Sequence, residues 1–250
     1  MNDSIKREQS KFTCSAEREN YRQSGKQVSA MNKWCTRPWI YFGLCITFLM
    51  TAIILCNWQE WSVELKIIAA VSALVPIHVV EEWVFPGGFH YQYNSFWHSD
   101  QLDRYPMCRL SDMYTNLIAT FMYAGFTLYS VVEGEVPTGI IVGTIGFCAL
   151  EIIIHTMFGI QMYQRFHAKG KQTIYGPGSI TAYFGFGVFG VILCYQMVGR
   201  TITVTDWIVA ALIVLVGVGI ICVLGPETII KKRDNDYAFP SAGYFERFLK

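Results

Sequence analysis

The sequence predicts an all-α fold, a polytopic membrane helix bundle of about six spanning helices with both termini on the cytoplasmic side. Three observations predict it. Of the 250 residues, 52% are hydrophobic and only 16% are charged, where a soluble domain carries about 25% charged residues. The apolar residues gather in six long runs. The basic residues fall almost entirely on one side of those runs.

Each run approaches the length a span needs, about 20 mostly apolar residues for about 30 Å of hydrocarbon. The runs are Trp39–Trp58, Leu65–Trp83, Thr115–Val132, Thr138–Ile160, Ile180–Val198 and Ile202–Leu224. Trp39, Trp58, Trp61, Trp83 and Trp207 edge several of them, where amphipathic rings sit at headgroup level. With the amino terminus inside, eighteen of the twenty Lys and Arg lie in cytoplasmic segments and two, Lys66 and Arg200, lie outside. An excess of basic residues marks the cytoplasmic side. Gly139 and Gly143 form a GxxxG in the fourth run, and its expected role is close helix packing within one chain.

Residues 1–34 are polar and mixed in charge, the composition of a disordered cytoplasmic segment. Residues 35–225 form the six-helix domain, and 226–250 form a cytoplasmic tail. The first run is too long for a cleavable signal core and reads as a retained helix. A net charge of +1 leaves no basic excess for phosphates and excludes nucleic acid as a partner. The eight cysteines make no CxxC pair and five sit in apolar runs. Reduced, buried thiols are therefore expected, not a disulfide framework or a thiolate zinc site.

Five ionisable side chains lie where apolar ones belong. His78, Glu81 and Glu82 stand near the end of the second run, and Glu151 and His155 stand inside the fourth. Each costs roughly 2.5–3.5 kcal/mol at the bilayer centre, so they must face the bundle interior, water or one another. Spacings of i, i+3 and i+4 put each group on one helix face. The assigned orientation brings both groups to the cytoplasmic half, close to His167, Asn116 and the turn Tyr175-Gly176-Pro177-Gly178. Pro76 sits two residues before His78, and its ring frees the Ser72 carbonyl to seek another partner.

The stretch His78-Val79-Val80-Glu81-Glu82, continued by Trp83-Val84-Phe85-Pro86-Gly87-Gly88-Phe89, resembles the signature of the HXXEE family of integral membrane proteins. The Glu151/His155 helix and the turn at 175–178 resemble that family's later segments, so the resemblance covers roughly residues 39–224. Where the family has an asparagine four positions before the second-helix glutamate, this chain has Phe147. The resemblance implies a shared set of polar positions and no particular reaction.

Two histidines and three carboxylates on facing helices suit a hard or borderline divalent metal such as Zn, Fe or Mn. His78, Glu81, Glu151 and His155 are the expected ligands, with Glu82 and His167 as the catalytic groups. A metal there could activate water for lipid hydrolysis or support oxidation of an acyl or isoprenoid chain. The expected partners are the lipid bilayer and a hydrophobic or lipid-like substrate. Two other readings use the same residues: a metal-free acid–base pair of the kind an isomerase needs, and a proton or ion pathway of a transporter. His90 and His98 fall in the aromatic segment Phe89–Tyr105, whose pattern suggests a stretch lying along the membrane surface.

Overall fold

A computed structural model of the chain describes residues 29–225 and 235–250, and among them every regular element is helical. Five helices are long and apolar enough to cross a membrane, which marks an integral membrane protein. In chain order the elements are a short α1 (Ala30–Trp34), then α2 (Pro38–Cys56), α3 (Val63–Trp83), α4 (Phe89–Phe96), α5 (Arg109–Glu133) and α6 (Thr138–Phe166). They are followed by α7 (Ser179–Gln196) and α8 (Val204–Ala211), which continues as a π-helical run, Leu212–Leu224. The last is α9 (Glu246–Leu249). The sixth apolar run is thus α8 with its π-helical continuation, and it is not among the five long α-helical spans.

Local chemistry sets the ends. Pro38 opens α2 at a position where its missing N–H costs nothing. Ser62 caps α3 by accepting from Leu65 N at 3.2 Å. Gly134, at φ +80, closes α5 in the left-handed region, and Thr203 with Asp206 forms a capping box ahead of α8. Two spans are longer than their apolar runs. α5 starts at Arg109 rather than Thr115, and α6 continues past Ile160 to Phe166. Their extra turns carry polar residues that hydropathy alone assigns to loops.

Helix α3 is central, with 67% of its most apolar stretch buried against 39% or less in the other spans. Around it Ile68, Val71 and Val75 pack with Tyr123 of α5, Ile141 and Phe147 of α6, and Phe186 and Leu193 of α7. A methyl group added at Gly139 or Gly143 would fall 2.7 Å from Val209 of α8 or 2.8 Å from Ile213 of its π-helical continuation. The GxxxG therefore serves packing within the chain. Thr47 of α2 donates its hydroxyl to the Ala73 carbonyl at 2.8 Å, one residue along from the carbonyl that the Pro76 ring faces. The outward faces carry Phe48, Leu128, Phe184 and Val191. Among the described side chains six cysteines are free.

A polar cap covers the end of the bundle at which α3 and α6 finish. There Asn32 of α1 donates to Asp236 O at 2.8 Å and accepts from Arg109 at 2.8 Å. Arg109 N donates to Tyr237 O at 2.9 Å, and Phe239 N to Asp103 O at 2.7 Å. Both ends of the described chain therefore meet at one end of the bundle. Two expectations are corrected here, and a third gains detail. Residues 30–34 of the stretch expected to be disordered form a helix, while 1–28 lie outside the described residues. The expected tail is docked over 235–250, with 226–234 outside the described residues. Segment 89–95 does not lie along a surface: all seven residues are buried, because α6, the 102–107 loop, the 175–178 turn and the docked C-terminal segment pack around them.

Candidate metal centre

Helices α3 and α6 run in the same direction, and each presents a histidine and a carboxylate four residues apart on one face. The pairs are His78/Glu82 and Glu151/His155, in opposite order along the two helices, so each histidine meets the other helix's carboxylate. His78 Nε2 lies 3.2 Å from His155 Nε2 and 3.2 Å from Glu82 Oε1. Glu82 Oε1 is 3.6 Å from His155 Nε2. Glu151 Oε2 stands 3.6 Å from both Nε2 atoms. Ligand atoms at 2.0–2.2 Å around a tetrahedral ion lie about 3.3–3.6 Å from one another, and the three separations among His78, Glu82 and His155 fall close to that spacing.

His78, Glu82 and His155 form a buried group able to hold a metal ion. Their side chains are 6%, 4% and 1% exposed, against 19% for Glu151. The group contains acceptors and no fixed cation: among the described residues, no lysine or arginine pairs with it. Buried carboxylates in that state call for a positive partner or a proton.

The surroundings orient the histidines. Thr181 Oγ1 donates to Glu81 Oε2 at 2.6 Å, with the Gly178 carbonyl a more distant acceptor at 3.2 Å. In either case the hydroxyl proton is taken, so the oxygen accepts from His78 Nδ1–H at 2.6 Å. The proton stays on Nδ1 and the Nε2 lone pair turns toward the cluster, as an outer-shell partner arranges for a metal-bound histidine. His155 Nδ1 faces the Pro177 carbonyl without a well-formed hydrogen bond. Gly178, at φ +89, lays backbone against both rings; a Cβ there would fall 2.2 Å from His155 Cε1 and 2.9 Å from His78 Cε1. Phe186 and Phe89 wall the site, with ring centroids 5.3 Å from His78 and 5.2 Å from His155.

Several expectations change. Glu81, expected as a ligand, points the other way. Its carboxylate accepts from Ile180 N at 3.0 Å and Thr181 N at 2.9 Å and caps the first turn of α7. Glu82, expected as a catalytic group, occupies the ligand position instead. His167 is exposed, with Nδ1 3.0 Å from Gln164 O, and does not reach the cluster; α6 carries it beyond. His90 stacks on Phe239 at 3.8 Å and is held down to about 3 by burial, so it is neutral. His98 is exposed. Asn116 donates to Asp112, which in turn accepts from Trp83 Nε1 at 2.5 Å. Thr181 is the functional residue that sequence reading missed. Its only signal was a hydroxyl in the first turn of an apolar helix, three residues after Gly178.

Compared with models of protein families, with curated proteins and with solved structures, the chain matches none.

Proposed function

We propose that this protein is a multi-pass membrane enzyme that uses a divalent metal ion (zinc, iron or manganese) to act on a lipid or other hydrophobic substrate, as a hydrolase or an oxidoreductase. The observation that carries the reading is the convergence of the His78 and His155 imidazole nitrogens and a Glu82 carboxylate oxygen near the mutual spacing of metal ligands, with Glu151 3.6 Å from both imidazoles. They converge inside helices that otherwise hold apolar side chains. His78, Glu82 and His155 form the ligand set. Glu151, the one partly exposed member, takes the fourth position as a ligand or as the base that holds a water there. Three protein ligands with an accessible fourth place distinguish a catalytic centre from a closed structural one. A bound ion would supply Lewis acidity or redox chemistry; the chain supplies orientation through Thr181 and Glu81, apolar walls, and a proton acceptor at Glu151.

The likeness of residues 78–89 to the HXXEE signature fits this reading of the polar positions. The distribution of basic residues supports both termini in the cytoplasm, and with them the cap and the metal centre at that end. Metal analysis of the detergent-purified protein tests the proposal. About one zinc, iron or manganese per chain is expected for the wild type, and none for His78→Ala/Glu82→Ala. A wild type that takes up no metal after dialysis against each ion would overturn it. Lipid extracts of membranes carrying wild type or Glu151→Gln should then differ in a substrate or product pool.

A further inference from the structure

The C-terminal segment reaches the site end of the bundle by two routes, neither of which touches a ligand. At the first, Tyr244 N donates to Gly87 O at 2.9 Å, and Gly87 N donates to Glu81 O at 3.1 Å. The approach is close enough that a Cβ on Gly243 would fall 2.5 Å from the Gly87 carbonyl carbon. At the second, Lys171 is buried beneath Tyr244, Phe245 and Phe248, with Nζ 4.9, 5.9 and 5.9 Å from their ring centroids. The same ammonium donates to the Tyr175 carbonyl. The Tyr175 ring meets Tyr244 edge-on at 5.3 Å, and its hydroxyl donates to Glu81 Oε1 at 3.4 Å.

The first route ends on the main-chain carbonyl of Glu81 and the second on its carboxylate, which holds Thr181, which holds His78. Aromatic rings over a desolvated ammonium make a firm anchor, and Phe245 is itself fully buried against Tyr91 and Phe166. The docked segment thus fixes the loop that carries Tyr175 and, through Glu81, the direction of the His78 lone pair. Couplings between two sites are reciprocal, so whatever fixes His78 also favours docking.

We propose that segment 242–249 is a positioning element for the metal centre: its docking raises the affinity of the cluster for a divalent cation, and a bound cation tightens the docking. This rests on the reading of the cluster as a metal site. The test uses full-length protein in detergent with Co²⁺ as the probe. Phe245→Ala should bind Co²⁺ about tenfold more weakly, the scale of an outer-shell loss, with an altered visible absorption band. Tyr175→Phe keeps the ring and removes only the bond to Glu81; it should show a smaller shift of the same kind, and it decides the matter if Phe245→Ala does not fold. In the wild type, Co²⁺ should slow amide exchange across 242–249. Wild-type affinity and spectrum in Tyr175→Phe, or exchange indifferent to Co²⁺, would overturn the coupling alone. A wild type that takes up no Co²⁺ would defeat the metal reading and the coupling together.

Discussion

The two ends of helix α3 handle buried carboxylates in opposite ways. At one end Glu64 is buried and pairs with Arg200, whose side chain is 41% exposed. At the other, Glu82 and Glu151 face two histidines and no lysine or arginine. The first carboxylate has a cation from its own chain, at the surface, where water shares the charge. The second group has two imidazoles beside it and, among the described residues, no lysine or arginine. A helix bundle can keep acids at either end; under the proposed function, the end without its own lysine or arginine is the one that receives a cation.

The largest test of this contrast is Gly178→Ala. A side chain there needs a left-handed backbone and meets both imidazoles, so the rings must move apart. Metal affinity should fall at least about tenfold and stability by about 1–3 kcal/mol, with helix content by circular dichroism unchanged. Wild-type metal content in this variant would mean that the ring positions do not set the site.

A second test uses pH at the cap. His90 in the native protein stays neutral down to about 3, while the same residue in the opened chain takes a proton below about 6.5. The opened state therefore binds the extra proton, and stability falls as pH drops through that window. Linkage sets the loss at about 2 kcal/mol by pH 5. Thermal midpoints in detergent between pH 7 and 5 should decline, and His90→Phe should flatten the decline. An unchanged slope in that variant would place the titration elsewhere.

The smallest effect belongs to the far end. Arg200→Met should cost about 1 kcal/mol, because an exposed partner contributes little, and should leave metal content untouched. Metal loss on that substitution would break the contrast between the two ends.

Much of this was legible in the sequence for a simple reason. Hydrocarbon demands long apolar helices, and helical period puts residues four apart on one face, so the spans and both His/Glu pairs could be read directly. Period does not fix how a helix is rotated against its neighbour. Glu81 and Glu82 both lie on the face of His78, and only the packing of α3 between α6 and α7 turned Glu82 to the histidines and Glu81 to the start of α7. The cap was equally hidden, because the polar residues of 84–108 and 235–250 carry no strong periodicity and fold by contacts distant in sequence.

The sequence by itself determined that the chain is a membrane bundle carrying His78, Glu81, Glu82, Glu151 and His155 at one depth, since desolvation cost and helical spacing act locally. The tertiary structure alone decided which carboxylates join the histidines, that Thr181 orients His78, and that the C-terminal segment closes over the cap. Those outcomes depend on helix rotation and long-range docking, which no local pattern records.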